Sequence, residues 1–231
     1  MSLADQVLLF KRTMRECALR HGIYATFLAK PMENEPGSSM HIHQSMVDVK
    51  TGRNVFANAK TGKHSELFMH YLGGLQKYVP MAMPFFAPNV NSYRRLAMGE
   101  VAPINVQWGA DNRTCGLRVP VSDAKNRRIE NRLPGADSNP YLSVALVLAG
   151  IDYGLTHKMT PPAPIDGNAY EQVPMELTDS PRVAVRNFTK HQAFANYFNP
   201  TFQKTMLAVR EADIRLFNKQ ISALEYEILI G

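Results

Sequence analysis

Apolar residues recur at helical spacing in several stretches of the chain. In the first 20 positions Val7, Phe10, Met14 and Ala18 lie three or four residues apart, and Gly22 follows as a C-cap. Residues 65–79 carry a similar stripe. The Asn-Pro pairs at 139–140 and 199–200 each offer an N-cap followed by proline at the first helical position. The sequence therefore predicts helices over 1–20, 65–79, 139–155, 199–216 and 222–230.

Short strand-like runs lie between these helices, at 38–46, 105–119 and 127–133. The segments 33–39 and 49–63 are polar and rich in turn residues, which predicts a loop and then a hairpin or surface excursion. Residues 79–89 are apolar but broken by prolines, so we expect a buried irregular segment there, and 158–181 reads as irregular. The pattern predicts an α+β fold, with strands carrying polar motifs and helices packed behind them.

The composition excludes several classes of protein but does not identify a function. The 231 residues are 45% hydrophobic and 20% charged, which excludes collagen-like, coiled-coil and disordered chains. The uncharged run 138–151 is too short to span a bilayer, and the N-terminus does not resemble a secretory signal. Cys17 and Cys115 form neither a disulfide framework nor a metal motif, so we expect a cytoplasmic protein. The net charge of +6 suits an anionic ligand as readily as nucleic acid.

The histidines of residues 38–46 are spaced for one face of a strand. Period-two alternation puts Ser39, His41, His43 and Ser45 on the same side. Such imidazoles can supply one metal ligand and one phosphate donor, or two ligands to a single metal. A solvated strand edge without a function explains the same spacing.

Residues 127–134 alternate in the same way. Arg128, Glu130 and Arg132 share one face, where flanking guanidinium groups would favour the charged carboxylate as an oxygen ligand for a hard divalent cation. An exposed strand with salt bridges is the alternative. Further basic residues stand on nearby strand and loop segments: Arg94, Arg95, Arg113, Arg118 and Lys125. This distribution is more typical of a metal and polyphosphate pocket than of a nucleic-acid surface, so we expect no nucleic-acid partner.

Four blocks, in order, resemble the catalytic domain of the glutamine synthetase family. They are ATFLAKPMENEPGSSMHIHQS, NSYRRL, NVQWGADNRTCGLRVP and RRIENRLPGADSNPYLSVALVLAG. The resemblance runs over nearly the whole chain and implies a curved antiparallel sheet backed by helices. It also implies ATP, Mg²⁺ or Mn²⁺, and a reaction in which ATP phosphorylates the γ-carboxylate of glutamate and ammonia or an amine displaces the phosphate.

The resemblance also assigns roles to matching residues. His41 and Glu130 match metal ligands. Gly37 matches the glycine of the loop that holds glutamate, while Arg95 and Arg132 match arginines that bind this substrate. Arg113 and Arg118 match the pair facing the transferred phosphate, and Arg95 and Arg113 are the expected catalytic residues. The expected ATP-binding residues are His43, Ser45, Arg118, Lys125 and Arg128.

Three departures from the family pattern matter. Pro36 replaces the asparagine before the loop glycine. Val101, next to Glu100, stands where ammonia-using members have a glutamate, which favours the branch of γ-glutamyl-amine or polyamine ligases without excluding ammonia. The N-terminal β-grasp domain and the glutamate-bearing strands that open the catalytic domain lack counterparts, so residues 1–231 resemble a catalytic domain truncated at its N-terminal side.

The third departure affects the expected activity. One histidine and one glutamate are few ligands for two hard cations. We therefore expect the chain to be inactive alone, whereas longer relatives form homo-oligomeric rings. A non-catalytic nucleotide-binding remnant or pseudoenzyme is the alternative. Tyr170 falls near a tyrosine that some bacterial members adenylylate, but an ordinary tyrosine in a proline-rich loop is the favoured interpretation.

Overall fold

The computed structural model describes residues 2–97, 101–191 and 194–230. These residues form eight helices and four short strands. In chain order the elements are α1 (Ser2–Arg20), β1 (Ile42–Gln44), α2 (Glu66–Phe86), α3 (Val90–Arg94), β2 (Trp108–Ala110), β3 (Leu117–Val119), β4 (Ile129–Asn131), α4 (Pro140–Thr156), α5 (Ala169–Gln172), α6 (Pro181–His191), α7 (Pro200–Phe217) and α8 (Ala223–Ile230). The predicted α+β class is confirmed.

The strands form one sheet in the order β1-β4-β3-β2. β4 pairs antiparallel with both β1 and β3, as expected, whereas β2 and β3 run parallel. The parallel pair is joined by the short segment 111–116, which begins at Asp111 with a φ of 48°. The Asp111 N–H donates to the Val119 carbonyl at 2.9 Å, and the Leu117 N–H donates to the Gln107 carbonyl at 3.0 Å.

Capping residues start the predicted helices where the sequence indicated. The Ser65 side chain accepts from the Phe68 N–H, the Asn139 side chain from the N–H groups of Tyr141 and Leu142, and the Asn199 side chain from the Thr201 N–H. The sequence did not predict the short helices α3 and α5, nor α6. In α6 the buried Ala184, Val185 and Phe188 have helical spacing that could have revealed it.

The expectation of an irregular segment over 79–89 was wrong, because α2 continues through Pro80 and Pro84 to Phe86. Each proline removes one helical hydrogen bond. The residues Met81–Phe86 are all buried, and the apolar surface they remove from water offsets that loss.

The helices α2 and α4 cross at glycines. A Cβ added to Gly74 would lie 2.2 Å from the Gly150 carbonyl oxygen and 2.5 Å from the Gly154 Cα. This close contact lets α4 pack along α2, where its buried side chains join the main hydrophobic core. The core includes Trp108, Leu117 and Ile129, so the sheet packs against this helical layer and its opposite face can carry polar groups. None of the described helices has both the length and the apolar character needed to cross a membrane.

Candidate active site

The polar residues of three strands fall in one row across the sheet. His43 on β1 is in register with Glu130 on β4, and Glu130 is in register with Arg118 on β3. Residues in register share a face, so the alternation predicted from sequence brings these three side chains together. The opposite face of β4 carries Ile129 and Asn131, both fully buried.

Glu130 lies at the centre of this row and is almost completely buried. Its carboxylate accepts from Arg118 Nη1 at 2.5 Å and from Arg132 Nη1 at 2.9 Å. Burial alone would raise the pKa of Glu130, but the hydrogen bond from Arg118 and the charge of Arg132 lower it below its usual value. The carboxylate is therefore charged at neutral pH.

His41 precedes β1 and contacts the same carboxylate. Its Nδ1 lies 2.9 Å from Glu130 Oε1, and its Nε2 lies 2.8 Å from Ser39 Oγ. Burial, reinforced by the charge of Arg132, lowers the pKa of His41. The imidazole is therefore neutral near pH 7, the form that can ligate a metal.

His41 and Glu130 together fit part of a metal site. The imidazole nitrogen of His41 and the carboxylate oxygen of Glu130 lie 2.9 Å apart, so a divalent cation that replaced the proton between them could take both as ligands. Within residues 2–97, 101–191 and 194–230, however, no group of three His, Cys, Asp or Glu side chains is placed to hold a metal ion. The two residues fit such a cation only with further ligands.

A cleft of about 120 Å³ opens beside this cluster and has two chemically different sides. Ser39, His41, Arg95 and Arg132 form its polar side. Its apolar side consists of Pro36, Val101, Ala102 and Pro103, and Gly37 also lines the cleft. The cleft therefore contains the predicted substrate residues Gly37, Arg95 and Arg132, and both residues at which the sequence departs from its family, Pro36 and Val101. Glu100 lies outside the described residues.

Gly37 is required by the close approach of Arg95. A Cβ at position 37 would lie 2.6 Å from Arg95 Cγ and 2.7 Å from the Ala29 carbonyl oxygen. Arg95 is 3% exposed, and its Nη2 donates to the Leu133 carbonyl. Desolvation lowers the pKa of Arg95 to about 10 despite the nearby carboxylate of Asp137, so the guanidinium stays charged at neutral pH.

Two buried nitrogens of the arginines that line this cleft have no hydrogen-bond partner among the described residues: Arg95 Nε and Arg132 Nε. Buried polar groups in native proteins are almost always paired. Because both arginines also line the cleft, their unpaired donors fit an anionic ligand with carboxylate oxygens.

Of the other predicted residues, one contacts this row. Arg128 Nε donates to His43 Nδ1 at 3.3 Å. Ser45 follows β1 and is exposed, as is Lys125 in the loop before β4. Arg113 is exposed on the 111–116 segment. The structure thus gathers His41, His43, Arg118, Arg128, Glu130 and Arg132, whereas Ser45, Lys125 and Arg113 are exposed on segments outside the strands.

Sequence reasoning missed two acidic residues that hold the arginines. Asp111 binds Arg118 through both Nε, at 3.0 Å, and Nη2. Asp137 accepts from Ser92 Oγ at 2.6 Å and acts electrostatically on Arg95. Each is a single acidic residue beside a run of basic residues in the sequence, and this pattern could have suggested that it pairs with an arginine.

A larger groove of about 610 Å³, between α6 and α7, contains none of the predicted residues.

The family model for the glutamine synthetase catalytic domain matches residues 1–229. The chain belongs to the glutamine synthetase catalytic-domain family.

Its relatives include enzymes named for different amine acceptors. The chain is 37% identical over 226 residues to the γ-glutamylputrescine synthetase of Escherichia coli K12, covering 98% of this chain and 48% of the relative. It is 42% identical over 172 residues to the glutamate–isopropylamine ligase of a Pseudomonas species, covering 74% and 37%. The type-1 glutamine synthetase 2 of Dictyostelium discoideum is 36% identical over 234 residues, covering 97% and 44%.

A solved structure of apo GmaS superimposes with a TM-score of 0.87 at 29% identity. The superposition covers 99% of this chain and 53% of that one. The chain therefore spans about half the length of the relatives that it matches.

Proposed function

We propose that residues 1–231 are the C-terminal part of the catalytic domain of an ATP-dependent ligase. The ligase joins the γ-carboxylate of glutamate to an amine through a γ-glutamyl phosphate. The observation that carries the proposal is the cleft in which Gly37, Arg95 and Arg132 meet His41 beside the buried Glu130. The arginines that line the cleft suit a dicarboxylic substrate, and the basic residues beside it suit a polyphosphate.

Each group in the cleft has a role in this proposal. Arg95 and Arg132 bind the carboxylates of glutamate through donors that are otherwise unpaired. Arg113 and Arg118 offset the charge of the transferred phosphate, while ATP binds along the open edge formed by His43, Ser45, Lys125 and Arg128. His41 and Glu130 contribute two ligands to Mg²⁺ or Mn²⁺, which when bound would offset charge on carboxylate and phosphate oxygens.

The apolar side of the cleft supports an alkylamine, rather than ammonia, as the acceptor. Val101, Pro36, Ala102 and Pro103 offer no charged group to hold an ammonium ion, but they can contact methylene groups. The names of the Escherichia coli and Pseudomonas relatives point the same way, whereas the Dictyostelium relative keeps ammonia as the alternative.

The chain alone is proposed to be inactive. His41 and Glu130 are two ligands, and the described residues bring no third one to them. The active form would need ligands from a longer polypeptide or a neighbouring subunit, in a homo-oligomer, and it would work in the cytoplasm where ATP and glutamate are available.

The test measures phosphate release from ATP and glutamate with ammonia and with a series of mono- and diamines. It compares the 231-residue chain with a chimera that carries the N-terminal half of the Escherichia coli relative ahead of it. We expect negligible turnover by the chain alone, and turnover by the chimera with kcat/KM for its best alkylamine at least tenfold above that for ammonia.

Variants of the chimera separate the cleft from the remaining basic surface. Arg132→Ala should abolish turnover, while the neighbouring Arg127→Ala, whose side chain binds the Gly62 carbonyl at 2.8 Å, should retain it. Turnover by the chain alone within tenfold of the chimera would contradict the proposed inactivity. A chimera that releases no phosphate with any amine would contradict the ligase.

A second candidate function is a nucleotide-binding remnant, which the incomplete ligand set favours. Calorimetry of ATP binding to the chain with and without Mn²⁺ separates the two. A remnant binds ATP equally in both conditions, whereas a partial ligase site binds ATP more tightly when Mn²⁺ is present.

A further inference from the structure

A tyrosine from a distant part of the chain holds the apolar side of the cleft. The Tyr170 hydroxyl donates to the carbonyl oxygen of Val101 at 3.1 Å, across 69 positions of sequence. Among the hydrogen bonds between described residues, this is the one that reaches residues 101–103. Because Val101 lines the cleft, the bond ties the backbone of one lining residue to Tyr170.

Tyr170 is itself fixed to the sheet. It lies on α5, where the N–H of the buried Ala169 donates to Thr114 Oγ1 at 2.9 Å. Asn112 Nδ2 donates to the Gly167 carbonyl at 2.8 Å. Both Asn112 and Thr114 belong to the 111–116 segment between β2 and β3. The tyrosine therefore connects the apolar side of the cleft to the segment that carries Arg113.

The Tyr170 hydroxyl keeps its proton at neutral pH and can donate a hydrogen bond. Tyr170 is partly buried, and desolvation raises its pKa although the charge of Arg132 opposes the shift. The phenol thus keeps its proton, and the acceptor is a carbonyl, which does not titrate. The bond is a fixed part of the cleft under working conditions.

We propose that Tyr170 is a positioning residue that holds Val101 against the cleft and thereby sets how well the acceptor amine fits. This inference rests on the proposed ligase function and deepens it. Arg95 and Arg132 are held by other partners, the Leu133 carbonyl and the Glu130 carboxylate respectively. Loss of the hydroxyl should therefore affect the amine and leave glutamate and ATP unaffected.

The kinetic test is Tyr170→Phe in the chimera, because this change removes the hydroxyl and keeps the ring. We expect the KM of the best alkylamine to rise about fivefold, the scale of one hydrogen bond, while the KM values of glutamate and ATP change less than twofold. The matched control is Tyr197→Phe, whose hydroxyl binds Asp152 at 2.8 Å outside the cleft and whose loss should leave all three KM values unchanged. An equal rise in the glutamate KM of Tyr170→Phe would overturn the proposal.

A second measurement does not need turnover. In the 231-residue chain with Cys17→Ser, a nitroxide is attached to a cysteine introduced by Val101→Cys, at a residue that is 69% exposed and therefore readily labelled, with and without Tyr170→Phe. Burial raises the pKa of the remaining Cys115 to about 11, so its background labelling is slow, and a chain without the Val101 change measures it. We expect the electron paramagnetic resonance spectrum to report a more mobile nitroxide after Tyr170→Phe, and identical spectra would overturn the proposal. If the chimera is inactive, the ligase proposal fails while this comparison still decides the role of Tyr170.

Discussion

Glu130 balances an otherwise cationic face of the sheet. It is buried, and Arg118, Arg132 and His41 all contact its two oxygens. Removing two or more arginines from water is costly unless each charge is paired. Glu130 thus holds Arg118 and Arg132, and the Leu133 carbonyl holds Arg95, before any anion arrives.

Gly37→Ala tests how tightly Arg95 is positioned. The new Cβ would overlap Arg95 Cγ and the Ala29 carbonyl oxygen, so the guanidinium must shift. Overpacking of this kind costs about 1–3 kcal/mol, and we expect glutamate affinity, measured by calorimetry on the chimera, to fall about tenfold. Ser38→Ala, an exposed neighbour, should leave the affinity unchanged. Equal affinity of Gly37→Ala and the parent would show that Arg95 is not held in this way.

Sequence alone predicted the faces of the strands better than the contacts on them. Alternation correctly placed Arg128, Glu130 and Arg132 on one side of β4, because side-chain direction in a strand is a local property. The pairing of Glu130 with His41 and the burial of Arg95 depend on which strands and loops meet. These are long-range contacts, and residue spacing carries no information about them.

At the scale of elements, the length of α2 also depends on long-range contacts that residue spacing does not reveal. Local sequence preference predicts that the helix ends near Pro80, since proline lacks the backbone N–H and disfavours helical geometry in the preceding residue. Burial of Met81–Phe86 in the core continues the helix instead. The Asn-Pro starts of α4 and α7 were predicted correctly because the cap and the proline act within one turn.

Pro80→Ala should stabilise the protein. The alanine restores an N–H donor for the Gln76 carbonyl within α2, and a proline in a helix interior costs about 3 kcal/mol relative to alanine, part of which returns as entropy of the unfolded chain. We expect the free energy of unfolding to rise by about 1–2 kcal/mol in urea titrations. Pro200→Ala, at the exposed start of α7, should lower it by less than about 1 kcal/mol. Destabilisation by Pro80→Ala would mean that packing of the ring, not burial of the following turn, maintains the helix.

At the scale of the whole molecule, large apolar side chains remain on the surface at both ends of the chain. In α1, Leu9 is 60% and Phe10 57% exposed, although Phe10 belongs to the stripe that predicted this helix. All residues of α8 from Ala223 to Ile230 are exposed. Helical periodicity predicted both helices, but it could not show that the described part of the chain leaves their apolar residues uncovered. Contiguous apolar surface of this kind favours association.

The apolar residues of α8 offer a direct test of the proposed homo-oligomer. Leu224 and Ile228 lie one turn apart, 58% and 70% exposed, and contact between copies would bury them. We expect the 231-residue chain to sediment well above its monomer mass of 25.9 kDa. The double change Leu224→Glu with Ile228→Glu should shift it towards the monomer, because burial of two carboxylates is unfavourable. Thr201→Glu with Gln220→Glu adds the same charge at exposed polar positions of α7 and its C-terminal end, and should leave the mass unchanged. A parent chain that sediments as a monomer, or a double variant that associates as strongly as the parent, would contradict a role of α8 in assembly.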